Sequence, residues 1–441
     1  MHIFFSGIGG VGIGPLAEIA LDAGYEVSGS DLHESALTKA LKKRGATIYI
    51  GQDGSQIKDC HNKNHIDWMV YTSALPFSHP ELDFVRDKKL KASKRDELLA
   101  RIIEDKKLKL LAVAGTHGKT TTTAMLVWIF KQAGVPVSYS VGTTLGFGPS
   151  GQFQPHSEYF IYECDEYDYN FLHFNPHLNV ITAVDYDHPN SFPTVEDYKQ
   201  AFRQFLAQCE NSLIWQKDEH YLEPIGTHVS YESFDESSNL SDIKLPGHNK
   251  RNGFLALQAA TRSLPHADLH DLLGYLNGYP GAGRRLEKLA DNLYSDYGHT
   301  PAEIASTLEL ARELNENVVV VYQPHQNIRQ HHLKNQYVNS LELANHIYWL
   351  PTYLSRENPY LAVLTPQELI VTLSNKQDAE PADMDDGLWE NIQNARKHGK
   401  LVLVMGAGSI DGWLREQLAK SEHLPDISAG PATRTAAHTQ S

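Results

Sequence analysis

Short runs of apolar residues recur along the chain and alternate with segments in which apolar positions follow a helical spacing. Each run has the length of a buried strand. Strands that alternate with helices in this way favour an α/β fold with mostly parallel sheets. The runs that predict strands are residues 2–6, 26–30, 47–50, 68–72, 110–114, 137–140, 159–162, 179–183, 318–322, 344–350 and 401–405.

One of these strands is followed at once by a glycine-rich loop and then by a helical segment. The strand ends at Ala114, the loop is Gly115–Thr120, and the helical spacing is clear from Ala124 onward. In such a loop, backbone N–H groups and the positive end of a helix dipole point at one spot, which therefore binds anions. Lys119 is predicted to reach the terminal phosphates of a nucleotide, and Thr120 to contact a Mg²⁺ ion. The alternative is a tight turn with an incidental lysine.

A second glycine-rich loop, Gly7–Gly12, follows the first predicted strand and has the spacing G-x-G-x-x-G. The next strand leads to Asp31, whose carboxylate is placed to reach a ribose hydroxyl. The pattern predicts a phosphate group near a helix N-terminus, and it fits a dinucleotide and a nucleotide-sugar diphosphate equally well. A turn of the same kind without any ligand is the alternative. Residues 72–74 follow a further strand, at the edge where open parallel sheets bind ligands.

Four carboxylates lie close together in the segment Glu163–Asp168, directly after a predicted strand. They would repel one another without a cation, and the same strand end carries the acid that faces Mg²⁺ in proteins with a phosphate loop. The alternative is a solvated acidic loop. Another strand leads to Asp187 and His188, where the histidine is either a metal ligand or a capping residue.

The last part of the chain adds polar motifs at the starts of helices and the ends of strands. Asn249–Asn252 open a helix and are either caps or contacts to an adenine base. Gly283–Arg285 includes two arginines that either meet phosphate or form a solvated basic turn. Pro301 is well placed to begin a helix. The strand at 318–322 delivers Gln323–Arg329 to a strand end.

The length of the chain favours several domains, because 441 residues exceed what a single core usually holds. We predict a Rossmann-like domain over residues 1–107, a central P-loop domain with a mostly parallel sheet over 108–280, and a Rossmann-like domain over 281–422. The polar stretch 217–243 predicts turns. Residues 423–441 lack periodicity, and we expect them to be disordered.

Composition narrows the possible partners. The formal charge of −15 argues against a general nucleic-acid surface or an anionic membrane surface, so an anionic substrate needs local positive sites. Cys60, Cys164 and Cys209 are far apart and match no metal spacing, which favours reduced thiols in the cytoplasm. Met1 leads straight into a predicted strand without a basic segment or cleavage site, and no apolar run is long enough to span a bilayer.

From residue 2 to about residue 417 the chain resembles the Mur ligases, the family that builds the peptide stem of peptidoglycan. Many motifs in family order carry this resemblance: GIGGVG, AGTHGKTTTT, ECDEYD, the DH pair, PGHN..N, GAGRR, SDYGHTP, YQPHQNIR and VMGAGSID. The first block is most similar to the alanine-adding branch, and the nearest sibling is the branch that adds a tripeptide during cell-wall recycling. A family fold of three α/β domains is implied.

The resemblance implies a reaction and its substrates. The lactyl carboxylate of UDP-N-acetylmuramate would be joined to an amino acid, with L-alanine as the first candidate, through an acyl phosphate made from ATP with Mg²⁺. This is a step in peptidoglycan precursor synthesis by a cytoplasmic monomer or dimer. A tripeptide-adding ligase is the first alternative, and an NAD-dependent oxidoreductase, suggested by GIGGVG alone, is the second.

The resemblance also assigns residues. The UDP-sugar would contact Gly9, Gly10, Val11, Gly12, Asp31 and Ser73. ATP would contact Gly115, Thr116, His117, Gly118, Lys119, Thr120, Thr121, His248, Asn252, Arg284, Asp296 and His299. The metal would be held by Thr120, Glu163 and His188. The amino acid would meet His325 and Arg329. The catalytic set would be Lys119, Thr120, Glu163, His188 and Arg284.

Three positions depart from the pattern of the family. Phe202 stands where several members carry a carbamylated lysine, so no such modification is predicted. Gln326 stands where the alanine-adding branch usually has arginine, which leaves L-serine and glycine open as substrates. Tyr167, within the acidic motif, is also found in the tripeptide-adding branch and keeps that alternative open.

Overall fold

The computed structural model describes residues 1–422, apart from positions 11, 73, 74, 189, 190, 236, 238, 239, 248 and 356. The chain forms two compact units that divide between Gly283 and Arg284. Over the described positions the backbone forms three sheets, two in the first unit and one in the second. The tail predicted to be disordered, 423–441, lies outside the described residues, and the domain bounds given above stay predictions.

The first sheet lies in the amino-terminal part of the first unit. Its strands are β1 (His2–Ser6), β2 (Glu26–Asp31), β3 (Thr47–Ile50), β4 (Trp68–Tyr71) and β5 (Lys91–Ser93). Its helices are α1 (Gly14–Asp22), α2 (Ala36–Lys43), α3 (Ser55–Lys63), α4 (Pro80–Lys88) and α5 (Arg95–Asp105). The strands are parallel in the order β3-β2-β1-β4-β5, so the winding reverses between β1 and β4. Open parallel sheets bind ligands at the carboxyl ends of strands beside such a reversal.

The second sheet completes the first unit. Its strands are β6 (Lys109–Ala114), β7 (Val137–Ser140), β8 (Gly151–Gln152), β9 (Tyr159–Glu163), β10 (Leu178–Ile181), β11 (Ser212–Trp215) and β12 (Tyr231–Phe234). Its helices are α6 (Lys119–Gln132), α7 (Val195–Ala207), α8 (Gln216–Leu222), α9 (Asn249–Ser263) and α10 (Leu269–Asn277), with a 3₁₀ segment at Tyr167–His173. The order is β12-β11-β10-β6-β9-β7-β8, and all neighbours are parallel except β7 and β8. Helix α6 is buried on nearly every side, which explains its apolar and threonine-rich sequence.

Edge strand β8 is covered by helix α1 of the first sheet. A Cβ added at Gly151 would lie 3.0 Å from the Cβ of Pro15 and 3.1 Å from the Cδ1 of Ile19. A side chain at this position would require Pro15 or Ile19 to shift by a few tenths of an ångström. The two sheets of the first unit are joined closely at this point.

The third sheet belongs to the second unit. Its strands are β13 (Glu287–Ala290), β14 (Leu293–Asp296), β15 (Val318–Tyr322), β16 (His346–Trp349), β17 (Ala379–Pro381) and β18 (Leu401–Met405). Its helices are α11 (Pro301–Leu314), α12 (Asn327–Leu333), α13 (Pro366–Ile370), α14 (Asp386–Lys397) and α15 (Ile410–Glu422). The order is β13-β14-β18-β15-β16-β17, with β13 antiparallel to its neighbour. Strands β15 and β18 are buried along their whole length, as their continuous apolar runs predict.

The α/β architecture with mostly parallel sheets is confirmed. The turns predicted over 217–243 are wrong in part, because this stretch holds β12 and most of α8. Strand β12 has no apolar run, since it lies at a sheet edge with half-buried residues. None of the helices in the described part of the chain is long and apolar enough to cross a bilayer.

The start of α7 provides a local test of the fold. The hydroxyl oxygen of Thr194 accepts a hydrogen bond from the Asp197 N–H at 3.1 Å, and the Asp197 carboxylate accepts one from the Thr194 N–H at 3.0 Å. Thr194→Ala removes a cap worth about 1 kcal/mol, so the amides of residues 195–199 should exchange with deuterium about fivefold faster. Thr365→Ala, which removes the equivalent cap of α13, is the control and should leave these amides unchanged. Unchanged exchange at 195–199 in Thr194→Ala would contradict the prediction.

Candidate functional site

The loop between β6 and α6 is shaped by two glycines in left-handed conformations. Gly115 has φ +131° and Gly118 has φ +83°, which L side chains rarely adopt. A Cβ at Gly115 would lie 2.5 Å from the Oγ1 of Thr182, and one at Gly118 would lie 2.5 Å from the Oδ1 of Asn252. The loop is therefore pressed against the end of β10 on one side and against α9 on the other.

Lys119, the first residue of α6, turns back over this loop. Its Nζ donates to the Gly115 carbonyl oxygen at 2.6 Å and to the two carboxylate oxygens of Glu166 at 2.8 and 3.1 Å. Glu166 is fully buried. Burial raises the pKa of the Glu166 carboxyl, while the charge of Lys119 acts to lower it. Burial alone would lower the pKa of Lys119, but the carboxylates, with Glu166 foremost, more than offset this and raise it, so the ammonium stays charged.

Tyr198 of α7 is the second contact between the loop and the acidic motif. Its hydroxyl lies 2.7 Å from the Oγ1 of Thr116 and 3.5 Å from the Oε1 of Glu166. The Thr116 hydroxyl also donates to the carbonyl oxygen of Asp185 at 2.7 Å and accepts from the Asp185 N–H at 2.9 Å. Burial raises the pKa of Tyr198 well above its usual value, so the phenol remains a neutral hydrogen-bonding group.

Thr120 and Glu163 form a separate pair at the same helix start. The Thr120 hydroxyl donates to the Oε1 of Glu163 at 2.7 Å, and the Gly142 N–H donates to the Oε2 at 2.7 Å. This holds a hydroxyl and a carboxylate side by side, directly after Lys119 in the chain. Both are oxygen ligands of the kind that Mg²⁺ prefers.

A second group of potential metal ligands consists of Asp165, Glu166 and His188, whose ligand atoms all lie within 4.8 Å of one another. The Nε2 of His188 lies 3.7 Å from the Oε1 of Glu166. The two carboxylates fit Mg²⁺, whereas an imidazole ligand is more typical of transition metals. The structure thus brings the predicted ligands Thr120 and Glu163 together and places His188 beside Asp165 and Glu166.

The other residues assigned to ATP in the first unit lie around the same loop. The carbonyl oxygen of His117 accepts a hydrogen bond from the Thr182 hydroxyl, and Thr121 is buried in the first turn of α6. The Nδ2 of Asn252 donates to the Oδ1 of Asn249 at 3.3 Å, while its Oδ1 faces Gly118.

The first glycine-rich loop, Gly7–Gly12, is held by a hydrogen bond to Asp31 at the end of β2. Its Gly9 N–H donates to the Oδ2 of Asp31 at 2.8 Å, and the Gly10 N–H donates to the Gly7 carbonyl oxygen at 3.0 Å. A Cβ at Gly9 would lie 2.9 Å from the same Asp31 oxygen. Gly10 and Gly12 are exposed. Asp31 therefore positions the loop, and the loop backbone is open to a ligand.

Three predicted site residues cannot be placed in this way. Val11, Ser73 and His248 lie outside the described residues.

In the second unit, Arg284 and Asp296 organise one turn. Arg284 has φ +55°, its Nη2 donates to the Gly406 carbonyl oxygen at 2.5 Å, and its guanidinium lies 4.6 Å from the ring centre of Tyr297. The Asp296 carboxylate is buried and accepts from the N–H groups of Leu286 and Gly298, both at 2.7 Å. Burial raises the pKa of Asp296.

His299, His325 and Arg329 lie near the start of α12. The Nδ1 of His299 lies 3.2 Å from a carboxylate oxygen of Glu303, and its ring centre is 6.0 Å from that of His325. The His325 ring is stacked on Tyr353, with 5.7 Å between ring centres and 9° between planes. Arg329 has no hydrogen-bond or ion-pair partner among the residues that the structure describes, which leaves its guanidinium available to an anion.

Asp165 and Glu166 were predicted only as members of the acidic motif, without individual roles, and Tyr198 was not predicted. Asp165 and Glu166 lie in the acidic motif, and the position of Glu166 three residues after Glu163 was an available signal. Tyr198 gave no signal, because it occupies the apolar face of an amphipathic helix and only the fold brings it to Thr116.

Three family models match consecutive parts of the chain. They are described as the catalytic domain of the Mur ligase family at residues 2–107, the Mur ligase middle domain at residues 113–242, and the Mur ligase glutamate ligase domain at residues 284–408. The resemblance that the motifs indicated is thereby confirmed.

Curated relatives match over nearly the whole length. A protein of Caldicellulosiruptor saccharolyticus named UDP-N-acetylmuramate–L-alanine ligase is 32% identical over 461 aligned positions, covering 95% of this chain and 98% of the relative. A protein of Syntrophus aciditrophicus with the same name is 30% identical, covering 97% of this chain and 95% of the relative.

Solved structures share the fold. The UDP-N-acetylmuramate-alanine ligase MurC of Thermotoga maritima is 24% identical with a TM-score of 0.75, covering 96% of this chain and 99% of that chain. A murein peptide ligase of Psychrobacter arcticus is 20% identical with a TM-score of 0.68, covering 97% of this chain and 100% of that chain. At these identities the comparison concerns the fold alone.

The close fit of Gly118 against Asn252 leads to a prediction about nucleotide binding. Gly118→Ala adds a methyl group 2.5 Å from the Asn252 side chain and strains a backbone with φ +83°. We expect ATP affinity, measured by calorimetry, to fall at least tenfold, because the loop must shift. Gly134→Ala is the matched control, since Gly134 follows α6 with φ +69° and its Cβ would meet no atom within 4 Å. Equal ATP affinities of the two variants would refute the prediction.

Proposed function

The chain belongs to the Mur ligase family, and from that premise we propose that it is an ATP-dependent ligase of peptidoglycan precursor synthesis. It forms an amide between the lactyl carboxylate of UDP-N-acetylmuramate and the amine of an amino acid, with L-alanine as the first candidate. The observation that carries the proposal is the position of Lys119, which lies between a glycine loop at a helix start and a carboxylate cluster. We expect the enzyme to act in the cytoplasm.

The reaction has two steps that balance in atoms and charge. First, an oxygen of the lactyl carboxylate attacks the γ-phosphorus of ATP, which forms an acyl phosphate and releases ADP. Second, the amine nitrogen attacks the acyl carbon, the amine gives up a proton, and inorganic phosphate leaves. In the first step two anions must approach each other, so cationic groups must offset the charge of the transferred phosphoryl group.

Lys119 supplies such a charge from the protein. Its Nζ donates to Glu166 and to the Gly115 carbonyl oxygen, so phosphate oxygens would compete with these acceptors for its protons. The oxygens of Thr120 and Glu163, with Asp165 and Glu166 nearby, fit Mg²⁺, which when bound adds further positive charge at the phosphates. Tyr198 would keep Thr116 and Glu166 in their relative positions while phosphate oxygens replace the contacts of Lys119.

Fewer residues are assigned to the amine substrate than to the nucleotide, so the amine is less well defined. In the second unit Arg329 offers a guanidinium for the carboxylate of the incoming amino acid, together with the ring of His325. Gln326 lacks the charge of the arginine usual in the alanine-adding branch, and its backbone has φ +63°. Tyr167, which is also found in the tripeptide-adding branch, keeps addition of a tripeptide as the second candidate function. L-Serine and glycine are further candidates as amines.

The first experiment measures phosphate release from ATP with Mg²⁺ and UDP-N-acetylmuramate, and tests L-alanine, L-serine, glycine and the tripeptide separately. Release that requires both the sugar nucleotide and one amino acid supports the proposal and identifies the amine. Release with the tripeptide alone would assign the protein to cell-wall recycling. Absence of release with every amine would overturn the proposed activity.

Lys119→Ala tests the residue on which the proposal depends. We expect turnover to fall about 10³-fold or more, because the charge that faces the transferred phosphoryl group is lost. The change also leaves Glu166 buried without its counter-charge, so Lys119→Ala/Glu166→Gln serves as a variant of balanced charge. Circular dichroism reports whether each variant is folded, and Lys131→Ala, three turns along the same helix, should retain activity. Substantial turnover in folded Lys119→Ala would refute the assigned role.

A further inference from the structure

Two residues at the start of α5 contact strand β9 and the acidic motif that follows it. The ammonium of Lys94 pairs with the Asp168 carboxylate. Asp96, which is buried, accepts a hydrogen bond from the Tyr162 hydroxyl at 2.5 Å. Arg95 lies between these two anchors in the chain. The start of α5, although it follows the first sheet, is thus fixed to residues 162–168 of the second.

The guanidinium of Arg95 is only partly engaged by this arrangement. Its Nε lies 3.4 Å from the Oδ2 of Asp96, and this is its single hydrogen bond to residues that the structure describes. The side chain is 38% exposed, whereas that of Asp96 is 2% exposed. Tyr162 and the carboxylates of Asp96 and Asp165 raise the pKa of Arg95, so the group is permanently charged. A cation with free donors is therefore held in place by its neighbours.

The free end of Arg95 faces the first glycine-rich loop. Its Nη1 lies 3.8 Å from the position of a Cβ at Gly12. Apart from chain neighbours, no other atom of the described residues lies within 4 Å of that position, and Gly12 itself is exposed. The guanidinium thus lies within van der Waals reach of an exposed part of the glycine loop.

Arg95 is the first residue of α5, where a cation opposes the helix dipole, and Asp96 and Glu97 in the same turn offset this effect. The phosphate loop at 115–118 has Lys119, whereas Gly7–Gly12 contains no basic residue. In a chain with a net charge of −15, a diphosphate at this loop requires a local cation. The planar fork of an arginine can bind two phosphate oxygens at once.

We propose that Arg95 binds the diphosphate of the sugar nucleotide beside Gly12. The proposal rests on the proposed function, because it takes the ligand of the first loop to be a uridine diphosphate derivative. It adds a binding residue that belongs neither to the glycine loop nor to its strand. It also explains the contacts of Lys94 and Asp96, since they hold this cation next to the acidic motif, whose carboxylates are proposed to face ATP.

Calorimetric titration of the full-length protein with UDP, UDP-N-acetylmuramate and ATP tests the assignment. In Arg95→Ala we expect the dissociation constants of UDP and UDP-N-acetylmuramate to rise by the same factor of at least ten, because both ligands share the diphosphate. The dissociation constant of ATP should change less than about twofold. Arg95→Lys, which keeps the charge but loses the fork, should fall between Arg95→Ala and the unmodified protein.

Arg101→Ala is the matched control, because Arg101 lies on the same helix and pairs with Glu104 and Asp105. It should bind all three ligands as the unmodified protein does. In the steady state, Arg95→Lys should raise the KM for UDP-N-acetylmuramate and leave kcat nearly unchanged. A residue that only supports the fold would instead change both constants and the KM for ATP.

Several outcomes would overturn the proposal. An unchanged affinity of Arg95→Ala for UDP would show that Arg95 does not contact the diphosphate. A loss of affinity for UDP-N-acetylmuramate alone would assign Arg95 to the lactyl carboxylate instead. An equal loss of affinity for ATP and for UDP would show that Arg95 only stabilises the fold. If Arg95→Ala does not fold, the affinities of Arg95→Lys for UDP and for ATP are compared instead.

Failure of the unmodified protein to bind either uridine ligand would overturn the proposed function itself. This outcome is distinct from failure of the Arg95 assignment, in which the unmodified protein still binds UDP.

Discussion

The candidate site depends on the burial of one carboxylate. Glu166 is fully buried, and such a charge is tolerated in a protein interior only with a counter-charge and hydrogen bonds. Lys119 supplies both the charge and hydrogen bonds to the two carboxylate oxygens, and the Tyr198 hydroxyl lies 3.5 Å away. Because these groups come from α6, α7 and the segment after β9, satisfying one carboxylate fixes the relative positions of three separate parts of the chain.

The two glycine-rich loops are stabilised by opposite charges of the protein itself. At the first loop, the Asp31 carboxylate accepts a backbone N–H from Gly9. At the second, the Lys119 ammonium donates to the carbonyl oxygen of Gly115. These contacts within the protein hold the backbone of both loops, which lowers the entropic cost of binding a ligand. The first loop exposes Gly10 and Gly12, whereas at the second a phosphate would compete for the lysine.

The sequence predicts much of this architecture for physical reasons. The central strands are continuous apolar runs because both of their faces are buried, and the phosphate loop is recognisable because its glycines and lysine are adjacent in the chain. Edge strand β12 and the covered strand β8 lack such runs, since half-burial and a two-residue length leave no pattern. Tyr198 and Arg95 could not be predicted, because their roles depend on contacts between residues far apart in sequence.

The packing of α1 on β8 bears on how the first unit is assembled. Edge strands expose unpaired backbone groups that can recruit strands of other molecules, and proteins guard them with helices, charges or loops. Here helix α1 of the amino-terminal sheet packs against edge strand β8 of the second sheet, where Gly151 closely approaches Pro15 and Ile19. The amino-terminal sheet thus contributes to the protection of its neighbour's edge strand, and local unfolding of α1 is expected to make that strand more accessible.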